Sequence, residues 1–236
     1  MLDGAQLSAI TGGEGNAGNV VIDAGDRVVI HGTGTNGFSS GIFASTQRAA
    51  GQGGSVIIEV PTIRVADGAV INARTDNNQP GGDVTIDANR VALTGGGQLI
   101  TTTLAEGQAG SITLNADRII LSGNDPNFDQ RLAEFGGEVV RNEGSGQSGL
   151  FANTREGSEG RGGVIRVNAD RVLIEDTATI SAESEGRGNA GAILLDLDQN
   201  LVMRSQAQIT SSTSEQGNTG RIRIHANDAI RLENQS

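Results

Sequence analysis

The sequence contains no cysteine, no tryptophan and no tyrosine, and it has only five phenylalanines and three prolines among 236 residues. The missing cysteine excludes disulfide bonds and thiolate metal sites. So few aromatic residues are unusual for a globular enzyme. Any hydrophobic core must therefore be built from Val, Ile, Leu and Ala.

Lysine and long apolar segments are also missing. All 17 basic residues are arginine and the formal net charge is −11, so the basic surface that nucleic-acid binding requires is not present and no nucleic-acid partner is expected. No apolar run approaches the ~20 residues of a transmembrane helix, and no signal peptide is visible at the amino end. We expect a chain that is soluble as given, with any targeting segment lying outside it.

What the sequence does contain is a repeat of about 28 residues, which is the signature of stacked structural units. Each unit is marked by a glycine directly before alternating apolar and polar residues. Successive markers are 36, 28, 28, 53, 28 and 29 residues apart, which indicates insertions at about 32–40 and 123–148. We predict one domain over residues 1–236, without polar caps and so part of a longer array. The markers are Gly18, Gly54, Gly82, Gly110, Gly163, Gly191 and Gly220.

Two further columns keep the same register in every unit. One is aliphatic: Leu7, Ile42, Ile71, Leu99, Leu150, Ile180 and Ile209. The other carries hydroxyls: Thr11, Thr46, Thr75, Thr103, Thr154, Ser184 and Thr213. Each unit holds three short strand candidates separated by Gly, Asn and Asp, without helical spacing. This pattern predicts an all-β parallel β-helix of about seven triangular, three-strand coils in which equivalent residues stack.

Recurring phrases carry a family resemblance. They are Ala69-Val-Ile-Asn-Ala-Arg-Thr followed by Gly82-Asp-Val-Thr-Ile-Asp-Ala, together with Ser40-Gly-Ile-Phe-Ala-Ser-Thr and Ser148-Gly-Leu-Phe-Ala-Asn-Thr. The chain resembles the repeat region of filamentous haemagglutinin-like exoproteins, particularly cyanobacterial members exported by two-partner secretion. The resemblance implies a right-handed parallel β-helix, export through an outer-membrane transporter, and a secreted or cell-surface adhesin. Its expected partners are glycans or proteins on host or neighbouring cells.

The two insertions occupy the same place in the repeat, between the second and third strands, and are expected to project from the same edge. All five phenylalanines lie in or beside them: Phe38, Phe43, Phe128, Phe135 and Phe151. Alternation along the strand points Phe43 and Phe151 outward. The five phenylalanines together are the candidate binding edge. The alternative is that each outward Phe only holds its own loop against the strands.

Two other columns have more than one interpretation. Regularly spaced threonines favour ice binding, but the column shares the parity of the aliphatic residues, so Thr75 and its equivalents are expected to point inward or to lie at a corner. The outward carboxylates Asp23, Glu59, Asp87 and Asp196 form either a solvated acidic face, which we favour, or a Ca²⁺ site.

A carbohydrate-active β-helix enzyme, of the polysaccharide lyase or glycosidase type, is the main alternative function. It needs paired carboxylates in a groove. Glu175 with Asp176 and Asp125 with Asp129 are available, but the first pair is adjacent on a strand and the second lies in an insertion. His31 and His225 fall in different repeats without a triad context. The sequence therefore favours a non-catalytic structural and adhesive segment without cofactor or metal.

Overall fold

The computed structural model describes residues 3–46, 51–137, 139–155 and 157–233, so the remaining residues of the predicted domain lie outside the described part. Almost all of the regular structure is β. In chain order the elements are β1 (Gln6–Ser8), β2 (Val20–Asp23), β3 (Arg27–His31), β4 (Gly41–Phe43), β5 (Val56–Glu59), β6 (Thr62–Ala66), β7 (Val70–Asn72), β8 (Val84–Thr94), β9 (Gln98–Ile100), β10 (Ile112–Ser122), α1 (Phe128–Phe135), β11 (Gly149–Phe151), β12 (Val164–Glu175), β13 (Thr179–Ser181), β14 (Ala192–Arg204), β15 (Gln208–Thr210), β16 (Arg221–Ala226) and β17 (Ala229–Glu233).

One parallel sheet has seven three-residue strands in the order β1-β4-β7-β9-β11-β13-β15, with one strand from each repeat. Its register places Ile71 beside Leu99 and Leu99 beside Leu150. The predicted aliphatic column is therefore confirmed. The hydroxyl column continues this face as isolated parallel bridges from Thr11 to Thr213. Thr75 and Thr103 are buried, which confirms their predicted inward or corner position and argues against an ice-binding face.

The other parallel sheet has ten strands and follows the order β16-β14-β12-β10-β8-β5-β2, with β3, β6 and β17 paired beside this path. Sequence reasoning predicted two separate strands here in each repeat. In β8, β10, β12 and β14 the two run on as single strands of 11 to 13 residues. They are separate at Gly25, at Pro61, and at Asn227 and Asp228. Proline cannot donate a backbone hydrogen bond and glycine weakens a strand, which accounts for the first two breaks.

Side chains from the inner faces of both sheets form one aliphatic core. Ile71 and Leu99 of the seven-stranded sheet belong to the same buried cluster as Ile58, Ile86 and Leu114 of the ten-stranded sheet. Each fully buried Ile or Leu contributes about 1.5–3 kcal/mol by leaving water. Aliphatic residues that stack on their own kind thus replace the aromatic core of an ordinary globular domain.

The marker glycines lie at close backbone contacts between neighbouring repeats. A Cβ at Gly82 would collide with the carbonyl oxygen of Gly54, and a Cβ at Gly110 with that of Gly82. From Gly54 onward, each marker amide also donates to a carbonyl 9 to 11 residues earlier in the chain, as from Gly110 N to the Thr101 carbonyl at 3.1 Å. From Gly54 onward, this contact leaves no room for a Cβ at any marker position, which explains why glycine recurs there.

The single helix among the described residues, α1, has eight residues, and none of the helical segments described is long and apolar enough to span a membrane.

Candidate functional site

The second insertion is a folded platform on the outer face of the seven-stranded sheet. At its base, Asn124 and Gln147 form an antiparallel bridge, and Ser148 N donates to Gly123 O at 2.8 Å. Its helix α1 was not predicted. The signals were Pro126 close to the start and Gly136, which has φ 75°, directly after the end, since these residues are typical of helix boundaries.

Beneath the platform lies a small apolar cluster, separate from the core, which we call the outer cluster. It consists of Phe43, Val70, Ile100 and Phe151. Phe43 and Phe151 are only 4% and 3% exposed. Each ring covers the glycine two residues earlier on its strand, since a Cβ at Gly149 would stand 3.0 Å from Phe151 Cε2 and one at Gly41 2.9 Å from Phe43 Cε2. The repeated Gly-x-Phe phrase is therefore a packing unit.

Gln98 provides the polar attachment of the platform. Its Nε2 donates to the carbonyls of Glu143 at 3.0 Å and Gln147 at 2.7 Å, and its Oε1 accepts from Glu143 N at 2.8 Å. Asn142 Nδ2 adds a bond to Gly68 O at 3.3 Å. These bonds satisfy buried backbone groups that would otherwise lose their hydration, so the platform is held in one position.

The two insertions share an edge, as predicted, and they also contact each other. Arg131 Nη1 donates to Gly37 O at 3.2 Å, and Ser39 Oγ contacts Asn142 Oδ1 at 3.1 Å. The ring of Phe135 packs against Gly37.

Of the five candidate phenylalanines, three are buried and two are half-buried. Phe43, Phe128 and Phe151 lie inside, whereas Phe38 and Phe135 keep partial exposure. A cavity of about 120 Å³ lies beside Phe38 and Val139. The outer side of the platform also exposes Leu132. Leu132, Phe135 and Phe38 are therefore the apolar side chains accessible at this edge, whereas the other three rings are not.

The carboxylates considered for catalysis are mostly engaged in holding the structure. Asp125 forms a buried ion pair with Arg131 at 2.5 Å. Glu175 pairs with Arg204 at 2.6 Å, and this hydrogen bond and its charge raise the pKa of Arg204 above the usual arginine value. Asp176 contacts Ser122 Oγ at 3.1 Å.

The histidines are likewise paired, but with carboxylates in separate places. His31 contacts Asp67 at 2.6 Å, and His225 contacts Asp196 at 2.9 Å. Among the described residues, neither histidine has a hydrogen bond to a Ser or Thr hydroxyl.

The outward acidic column lines a groove of about 760 Å³ along the ten-stranded sheet. Asp117, Asp170 and Asp198 also line it. Asn115 Nδ2 donates to Asp87 Oδ1 at 2.6 Å, so neighbouring repeats are linked along the column. Within the described ranges, no three His, Asp or Glu side chains are arranged to hold a metal ion.

A further recess, which we call the notch, could not be predicted from the sequence pattern. It has a volume of about 270 Å³ and lies where the end of the platform meets the outer face of β11, β13 and β15. Glu143 and Gln147 contribute from the platform, and Glu183 and Thr210 from the strands. No spacing in the sequence connects residue 143 with residue 183, because an irregular insertion brings them together.

Comparison of the chain with protein-family models, with curated proteins and with solved structures found no match in any of the three.

Proposed function

We propose that this chain is a non-catalytic structural and adhesive segment of a secreted or cell-surface, haemagglutinin-like exoprotein. Its repeats form a right-handed parallel β-helix of about seven triangular coils, and the second insertion displays a contact surface. Export proceeds through an outer-membrane transporter, and the partners are glycans or proteins of other cell surfaces.

Pairing of equivalent strands in neighbouring repeats supports the β-helix. The Gly-rich segments between the third strand of one repeat and the first of the next also pair in this way, as from Gly53 N to Pro80 O at 3.1 Å and from Gly81 N to Gln108 O at 2.9 Å. These bonds support a third side in the proposed coils. An experimental structure in which these segments diverge from one another, or in which the coil is left-handed, would contradict this architecture.

The observation that carries the adhesive role is the fixed position of the platform. Its inner side is held by the hydrogen bonds of Gln98 to Glu143 and Gln147, while its outer side exposes Leu132 at 39%. A rigid surface loses little conformational entropy when it binds, which favours affinity. Loops on a rigid scaffold are the usual place for recognition.

Binding of the labelled chain to intact cells and to a glycan array tests the adhesive role. We expect saturable binding that falls about tenfold in Leu132→Asp, because a charge cannot be desolvated at an apolar contact. The matched control is Ile57→Asp, since Ile57 is 41% exposed on the ten-stranded sheet, away from the platform. Failure of the unmodified chain to bind any cell or glycan saturably would refute adhesion.

Incubation with a panel of acidic and neutral polysaccharides tests the enzymatic alternative. We expect neither new reducing ends nor unsaturated products. Turnover at catalytic rates that is lost in Asp87→Asn, a change in the acidic groove, would replace the adhesive proposal with a carbohydrate-active enzyme.

A further inference from the structure

We infer that the notch binds one neutral sugar ring through its hydroxyl groups; this inference rests on the proposed adhesive function and assigns a ligand class to the notch beside the platform. The notch has two sides. The platform contributes Glu143 and Gln147, and the outer face of the strands contributes a floor of Asn153, Thr179, Ser181, Glu183, Gln208 and Thr210.

Glu143 is the residue that points to a ligand. Its side chain is only 4% exposed, and its Oε2 pairs with Arg155 Nη2 at 3.0 Å. Its other carboxylate oxygen, Oε1, has no hydrogen-bond partner among the described residues, and neither does Arg155 Nε. Buried polar atoms without partners are costly, so an acceptor and a donor left unpaired on one ion pair require an explanation.

The charges around the notch select the ligand class. A cation would satisfy the Glu143 oxygen but would face the positive charge of Arg155. An anion would satisfy Arg155 but would face the carboxylates of Glu143 and Glu183. A hydroxyl group both donates and accepts, so it can pair with the acceptor and the donor together.

The floor of the notch is already organised for hydroxyl recognition. Glu183 accepts a hydrogen bond from Thr210 Oγ1 at 2.8 Å, and Ser181 Oγ lies 3.1 Å from its other carboxylate oxygen. Asn153 Oδ1 accepts from Ser181 Oγ at 2.8 Å and from Glu183 N at 2.8 Å. The carboxylate is thus held in one orientation, which lowers the cost of binding.

Size and access limit the ligand further. The volume of 270 Å³ lies just below the range of about 300–1,000 Å³ that is typical of small-molecule sites, so a single ring fits better than a chain. The unpaired atoms of Glu143 and Arg155 lie below the accessible surface. The ligand therefore reaches them when Arg155, whose side chain is 40% exposed, shifts outward.

Titration with methyl glycosides of glucose, galactose and mannose, followed by NMR of the chain's amides, tests this inference. We expect at least one neutral glycoside to bind in the millimolar range and to shift amides of β13 and β15. Spermidine and glucuronate serve as the cationic and anionic comparison ligands. Saturable binding of either comparison ligand in preference to the neutral glycosides, or no neutral binding up to about 50 mM, would overturn the inference.

Two variants locate the binding. Thr210→Arg places a long side chain over Glu183 and fills the notch, while Thr113→Arg makes the same change on the outer face of the ten-stranded sheet. We expect the first to weaken glycoside binding at least about tenfold, the loss that one or two well-placed hydrogen bonds cause, and the second to leave it unchanged. Glu143→Gln should also weaken glycoside binding. Without ligand, the amide chemical shifts of its strands should equal those of the unmodified chain. Equal affinity in Thr210→Arg and the unmodified chain would refute the site.

Cell binding separates failure of the notch from failure of adhesion. If cells bind Thr210→Arg as well as the unmodified chain, the notch is not the adhesive site although adhesion stands. If cells bind neither, the proposed function fails, and the glycoside titration still decides whether the notch takes a sugar.

Discussion

Replacing Gln98 by Leu removes three hydrogen bonds between the seven-stranded sheet and the platform while keeping a side chain of similar size. Each such bond contributes about 0.5–1.5 kcal/mol net, and a buried donor left without a partner costs more. Glu143 N loses its partner, whereas Glu143 O still accepts from Gly146 N at 3.3 Å. We therefore expect the free energy that holds the platform closed to fall by about 2–3 kcal/mol.

Amide hydrogen exchange measures this local opening without requiring global unfolding. Because each 1.4 kcal/mol is a factor of ten, the amides of Val140 and Gly146 should exchange about 30- to 150-fold faster in Gln98→Leu. Core amides such as that of Ile86 should change little. The matched control is Gln208→Leu, in the same column of the sheet but exposed and outside the platform. Less than about threefold faster exchange in the platform would show that its position does not depend on Gln98.

Three further results are expected. Gly110→Ala should lower the free energy of unfolding by about 1–3 kcal/mol or more, because its Cβ meets a backbone carbonyl. Gly13→Ala should leave it unchanged, because the Cβ there meets nothing within 4 Å. Equal melting temperatures of the two variants would contradict this prediction. Arg131→Met should cost about 3–5 kcal/mol in urea unfolding because it leaves a buried Asp125 unpaired, and the additional change Asp125→Leu should recover much of that loss. Deleting 124–147 should increase binding of a hydrophobic dye, because the outer cluster becomes exposed; unchanged dye binding would show that the platform does not cover it.

The sequence predicts the structure correctly where a residue of one repeat contacts the equivalent residue of the next. The marker glycines and the aliphatic column could be predicted directly, because stacking requires the same kind of residue in every repeat. The sequence predicted a break between the first two strands of every repeat, which is right at Pro61 but wrong in β8. Whether a strand bends or stops at Asn89 depends on how well the neighbouring repeats pair, and no local residue determines that.

The site was less predictable for a physical reason. Periodicity located the insertions and the outward direction of Phe43 and Phe151, but it carries no information about a segment that occurs once. The helix α1 and the contacts of Gln98 depend on such a segment. The notch depends on it too, since Glu143 and Glu183 meet only because the platform folds back over the strands.

The Gly-x-Phe packing unit has a consequence for how such chains diversify. Gly149 and Phe151 directly follow the second insertion in the sequence, whereas β13 and β15 have Thr179 with Ser181 and Gln208 with Thr210 at the matching positions. A loop transferred together with β11 would keep this packing unit, but it would also need the glutamine of the preceding repeat, Gln98 on β9, to be held in place. A loop transferred without that strand would find a hydroxyl-lined surface to which its apolar side does not adhere.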